Sequence, residues 1–349
     1  MSKQLRIWLF VLLGTLLTST ALLAEGVITM TTSERVGEEI GLSIKANGNV
    51  AIEGAQETGK TDKFDRESYR LTSQTITIRG DVTEFGCYNN QLTSLDLSKS
   101  TVLTWLWCSG NQLTSLDLSN NTALTTLGCS NNQLTSLNVS KNTALTGLDC
   151  SDNRLTSLNV SKNTSLTELD CNGNQLTSLN VSNNTALTEL YCFNNQLTSL
   201  DVSKNTALTS LVCSNNRLTN LDVSKNIALT ELVCFENELT SLDVSKNTAL
   251  NWLRCNDNKL TSLNLSGCTR LVTLYCYSNC INGKAMTKLV NSLPNRRGMR
   301  PGTLFVVDRS SEKRDRNRCS AADVTTAKKK NWKVLKKQGS YDWVSYSGD

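Results

Sequence analysis

From residue 82 to residue 281, apolar and polar positions repeat on a 21-residue cycle. One cycle, LTTLGCSNNQLTSLNVSKNTA from Leu124 to Ala144, carries apolar side chains at Leu124, Leu127, Cys129, Leu134, Leu137 and Val139. The cysteine returns ten times, at positions 87, 108, 129, 150, 171, 192, 213, 234, 255 and 276. Around it the pattern is that of a strand, whose successive side chains point to opposite faces: Leu127 and Cys129 inward, Thr126, Gly128 and Ser130 outward. The rest of each cycle leads back to the start of the next strand and delivers apolar side chains at every corner. So short a unit cannot bury its apolar side alone, and the ten units must stack as a solenoid.

A frame LxxLxCxxNxL within a period of roughly 20 to 29 residues is that of leucine-rich repeats. The expected fold class is mainly β: a right-handed curved leucine-rich repeat solenoid with a parallel sheet on its concave face, an N-terminal β cap and a C-terminal α/β cap. Residues 1–24 read as an export signal, with Lys3 and Arg6 before the apolar run Ile7 to Leu17 and small residues at Ser19, Ala21 and Ala24; cleavage is expected after Ala24, or else Ala21. Residues 25–81 alternate as strands and form the first lid, including GVITMTT, EIGLSIKANGNVAIEG with its NGN turn, and SYRLTSQTITIRG. Residues 82–281 form the ten cysteine-bearing rungs. In residues 282–349 the period is lost, and helices over 284–293 and 321–330 alternate with strands over 303–307 and 332–335.

Charge separates these parts. Residues 281–349 hold 16 Lys or Arg against 6 Asp or Glu, whereas the whole chain carries only +5. The body is therefore acidic and the tail basic, which suits the tail to polyanions such as lipopolysaccharide or to the acidic body of a neighbour.

The chain has no histidine and no GxSxG or phosphate-loop motif, which argues against an enzyme, and no cofactor or metal site is expected. The ten ladder cysteines are expected to be buried free thiols, because side chains on strands in register run parallel and do not converge for a disulfide. Of the remaining Cys268, Cys280 and Cys319, the pair Cys280 to Cys319 is the expected disulfide. The asparagine three residues after each cysteine is expected to bond neighbouring rungs.

Candidate binding residues are found where rungs depart from their shared frame. All nine aromatics between Cys87 and Cys280 lie three before, one before or one after a ladder cysteine: Tyr88, Trp105, Trp107, Tyr191, Phe193, Phe235, Trp252, Tyr275 and Tyr277. By alternation these positions share the outward face, where large aromatics have no packing role within a rung and act as recognition anchors; the alternative is packing on one another or on the caps, for Tyr88 and Tyr277 near the ends above all. The same positions carry Asp149, Glu168, Asp170 and Glu189, an acidic middle suited to a basic partner, and further along Glu231 and Arg254. A protein partner from a host or bacterial surface leads, a glycan is the alternative, and a surface layer built from acidic bodies and basic tails is a third reading. Neither nucleic acid nor a transmembrane span is expected.

The rung LTxLxCSxNQLTSLDVSKNTA, the cap VITMTTSERVGEEIGLSIKANGNVAIEG and the tail segments INGKAMTKLVNSLP and KNWKVL resemble internalin J-like bacterial adhesins with cysteine-containing 21-residue repeats. They also resemble the internalin-related surface proteins of Bacteroidetes-type bacteria. The resemblance covers residues 25–345 and implies an exported, non-enzymatic protein of adhesion, host contact or biofilm formation, at the cell surface or secreted, with the periplasm open. The family's LPxTG wall signal is not seen, which leaves the mode of attachment open.

Overall fold

The computed structural model describes residues 26–310, 315–339 and 342–349; the expected export signal lies outside the described residues. The N-terminal lid comprises β1 (Val27–Thr32), β2 (Glu39–Ala46), β3 (Ala51–Glu53), β4 (Ala55–Thr61), β5 (Glu67–Leu71) and β6 (Thr75–Arg79). The first rung contributes β7 (Val82–Gly86) and β8 (Leu92–Asp96). Later rungs contribute one three-residue strand each: β9 (Trp105–Trp107), β10 (Thr126–Gly128), β11 (Gly147–Asp149), β12 (Glu168–Asp170), β13 (Glu189–Tyr191), β14 (Ser210–Val212), β15 (Glu231–Val233), β16 (Trp252–Arg254) and β17 (Thr273–Tyr275). The end comprises α1 (Gly283–Ser292), β18 (Gly302–Asp308), α2 (Ala321–Lys329), β19 (Trp332–Lys337) and β20 (Trp343–Ser345).

One 16-stranded sheet runs the length of the molecule, in the order β20-β19-β18-β17 down through the rungs to β9, then β7-β2-β5-β4. The rung strands are parallel and in register, Leu127 beside Leu106 and Leu148. Antiparallel β2 closes the first rung by pairing with β7. β2 and β3 do not form a hairpin across the NGN turn: β3 joins β6 and β1 in a separate four-stranded sheet, so the turn is a corner between two sheets.

Three polar rows accompany the buried leucine and cysteine rows. Asn132 donates through Nδ2 to the carbonyls of Cys108 and Cys129 (3.0 and 3.1 Å) and accepts at Oδ1 from the Leu113 amide (3.0 Å). The same pattern repeats through Asn279. A second row, whose bonding the repeat frame alone does not reveal, runs from Asn121 to Asn247; Asn247 donates to Val223 and Asn226 carbonyls at 3.0 and 2.9 Å. In the third, the Thr125 hydroxyl donates to the Thr104 carbonyl (3.0 Å), a link repeated through Thr230. Together these rows satisfy much of the backbone that a stack of short strands leaves unpaired.

All thirteen cysteines are free. Burial pushes the Cys108, Cys213 and Cys255 thiols up to about 12, and the other ladder thiols well above their usual range. The expected Cys280 to Cys319 disulfide is not formed, and the rung frame explains why. Asn317 donates to the carbonyls of Cys276 and Val306 (2.8 and 2.9 Å) and accepts from the Ile281 amide (2.8 Å), as a ladder asparagine does. The stack thus continues into an eleventh rung, with Val306 at the cysteine position and Cys319 at the inward leucine position after the asparagine. Cys280 occupies the adjacent, half-buried position after Asn279, on the other side of the strand alternation. Cys268 takes the place of a second-row asparagine and donates its thiol hydrogen to the Val244 carbonyl at 3.3 Å.

Candidate functional site

The outward face of the long sheet brings most of the expected residues together, in three groups. At its N-terminal end the rings of Trp105 and Trp107 stack with centroids 5.8 Å apart. Gly128 makes room for the second of them: a Cβ added there would sit 2.6 Å from the Trp107 indole. Gly128 and Ser130 are therefore buried, contrary to simple alternation: the indole covers the first, and the Ser130 hydroxyl donates to that of Ser109 (2.9 Å). Tyr88 is not a free anchor. It packs under the Arg66 guanidinium (4.0 Å) and against Phe64 (5.5 Å), and Asp62 holds Arg66 in turn (2.6 Å).

In the middle, Asp149 lies beside Asp170 and Glu168 beside Glu189 on adjacent strands, about 4.8 Å apart by strand spacing. None of the four carboxylates has an ion-pair partner among the described residues. Burial raises the Asp170 carboxyl to about 6; bonds from Asn172 oppose this, and Asp149 and Asp152 add to it. Tyr191 donates its hydroxyl to Glu189 at 2.6 Å, and its phenol is pushed up to about 12 by burial and by that bond. Phe193 stands half-buried just beyond it. Among the described residues no group of three or more Cys, Asp or Glu is placed to hold a metal ion.

At the C-terminal end the Arg254 guanidinium lies over Phe235 (4.5 Å) and Tyr275 (5.0 Å), and Trp252 leans on Tyr275 (5.9 Å). Tyr275 stacks on Phe305 at 3.9 Å, and Trp343 closes over both Phe305 and Tyr277 (4.6 and 5.1 Å). Tyr275 and Tyr277 are thus packing residues of the C-terminal lid, the alternative expected for Tyr277 and extended here to Tyr275. Burial drives the Tyr277 phenol up to about 12. Trp252 is the exposed member at 37%. Phe305 and Trp343 belong to this cluster and were not among the expected residues, although TLFV at 303–306 repeats the TLYC of 273–276.

Repeat, register and buried thiol row define the class: the chain is a leucine-rich-repeat solenoid with a cysteine ladder. Residues 185–226 match the family model for Leucine Rich repeats (2 copies). The chain is similar to the functional domain of InlJ from Listeria monocytogenes, which includes a cysteine ladder, at 36% identity and a TM-score of 0.64, covering 77% of this chain and 56% of that one. It therefore spans little more than half the length of that structure. A leucine-rich repeat protein of Leptospira interrogans shares the fold at 22% identity and a TM-score of 0.53, covering 73% of this chain and 71% of that one. So does the ectodomain of the plant receptor kinase GASSHO1/SCHENGEN3 from Arabidopsis thaliana, at 20% identity and 0.52, covering 70% and 33%. No curated protein matches the chain. The fold is internalin-like and of a generally non-enzymatic kind, and no helix of the described residues is long and apolar enough to cross a membrane.

Proposed function

We propose that this is an exported recognition protein, at the cell surface or secreted, that binds a basic protein partner through the outward face between Trp105 and Phe193. The observation that carries this reading is four in-register carboxylates without a counter-charge, set between a stacked tryptophan pair and the Tyr191 and Phe193 rings. Carboxylates held together repel one another, and a cationic partner relieves that repulsion. The aromatic flanks supply the apolar anchors that dominate affinity at protein interfaces. Tyr88, Tyr275 and Tyr277 serve the lids, and Phe235, Trp252 and Arg254 lie at the margin.

The test is capture from host and bacterial surface extracts by the wild type and by a Trp105→Ala/Trp107→Ala variant, with melting curves to confirm that both are folded. Loss of an anchor pair should weaken capture by ~2 kcal/mol or more, and partners recovered equally by both would sink the proposal. Retention on a glycan array with no protein captured would favour the sugar-binding alternative.

A further inference from the structure

The loop between α1 and β18 is held more firmly than its length requires. Arg296, 8% exposed, turns back into the protein and donates to the carbonyls of Leu271 (3.1 Å) and Arg300 (3.1 Å). Asn331 donates to the carbonyls of Arg296 and Met299 (3.0 and 2.9 Å), and Trp332 donates to that of Pro294 (2.9 Å). Gly298, at φ +78°, makes the tight bend at the tip. This scaffold holds the Met299 side chain out in water, 63% exposed. Nothing in the packing of the fold accounts for so firmly presented an apolar side chain.

Its surroundings are uniformly cationic. Arg297 and Arg300 flank it and are exposed; Arg297 reaches the Lys329 carbonyl (2.7 Å), which places Lys329 alongside. Thr303 bonds the Val272 carbonyl (2.8 Å), bringing in Val272, 37% exposed, with exposed Arg270 two residues before it. None of these cations has an ion-pair partner among the described residues. Between Asp257 and Asp308 the chain carries seven Lys or Arg and no Asp or Glu.

We propose that this patch, Met299 and Val272 ringed by Arg270, Arg297, Arg300 and Lys329, docks the C-terminal end of the solenoid onto an anionic, phosphate-bearing lipid surface. A bare polyanion needs only the charges. A lipid interface offers phosphates for the cations and, just beneath them, an apolar layer for Met299. The site is separate from the aromatic and acidic face and independent of the function proposed for it.

The test is co-sedimentation of the full chain with vesicles of phosphatidylglycerol and phosphatidylcholine in equal parts. Wild type is compared with Arg297→Gln/Arg300→Gln and with Met299→Ser, so that any contribution of the apolar run at residues 7–17 is common to all. Removing two surface cations should weaken partitioning about 30-fold. Met299→Ser should weaken vesicle binding several-fold while leaving retention on soluble heparin unchanged. Equal vesicle binding by wild type and the double-arginine variant would overturn the proposal. So would a Met299→Ser variant that behaves as wild type on vesicles, since that would mark a site for soluble polyanions.

Discussion

Asn174 shows at the scale of one residue what keeps the rungs together. Its amide donates to the Cys150 and Cys171 carbonyls (3.0 and 3.2 Å) and accepts from the Leu155 amide (2.9 Å), all inside the protein. Removing it strands the buried Leu155 amide, while the Cys150 and Cys171 carbonyls keep Asn153 (3.2 Å) and Asn195 (3.0 Å) as donors, a cost of roughly 1–3 kcal/mol. Asn174→Ala should therefore lower stability by ~1–3 kcal/mol in chemical denaturation, and an unchanged stability would show that water replaces the amide. Asp170 makes the opposite case. Its carboxyl titrates at about 6 in the fold against 3.8 ordinarily, so the folded state holds the proton more tightly. Its favourable contribution is complete below the ordinary value and is lost as pH rises through about 6. Asp170→Asn should be more stable than wild type at about pH 8, and the gap should close below about pH 4. A gap that does not vary with pH would rule out this titration as its cause.

Each rung leaves its strand through a left-handed residue two positions after the cysteine, a regularity visible only in the dihedral angles. Asn131 (φ 52°), Asp152 (49°), Gly110 (67°) and Asn194 (52°) are residue types that tolerate this. Glu236 (φ 50°) and Ser278 (51°) are not. Glu236→Asn should therefore stabilise the protein by up to ~1 kcal/mol, and an unchanged melting temperature would show that the glutamate carries no strain. The rungs themselves were legible because their period fixes which side chains face inward, and Leu127 and Cys129 are accordingly buried. The eleventh rung was not, because Asn317 follows Val306 by eleven residues where other rungs use three, so no fixed spacing reveals it. The candidate face was legible as a set of positions, but not the lids that cover part of it. Alternation cannot show that Trp343 folds onto Tyr277, or that Arg66 reaches Tyr88.

Taken whole, the molecule is a row of near-identical units, each bonded to its two neighbours, so its stability should behave as a sum over rungs and interfaces. The unit length is also the only length that preserves register. Excising residues 214–234, one full 21-residue rung, joins Cys213 to Phe235 and keeps every ladder in phase. The product should fold, with stability reduced by about one rung and one interface; excising twenty residues instead would turn the inward side chains outward and should give no cooperative unfolding. The full-rung excision also tests where the binding face ends. It leaves Trp105 to Phe193 intact and moves the cluster of Arg254, Trp252 and Tyr275 one strand nearer, about 4.8 Å. A partner held by the tryptophan pair and the acidic middle should bind the shortened protein as it binds the parent. A partner lost on excision, with the shortened protein still folded, would show that recognition spans both halves of the sheet and needs their native separation.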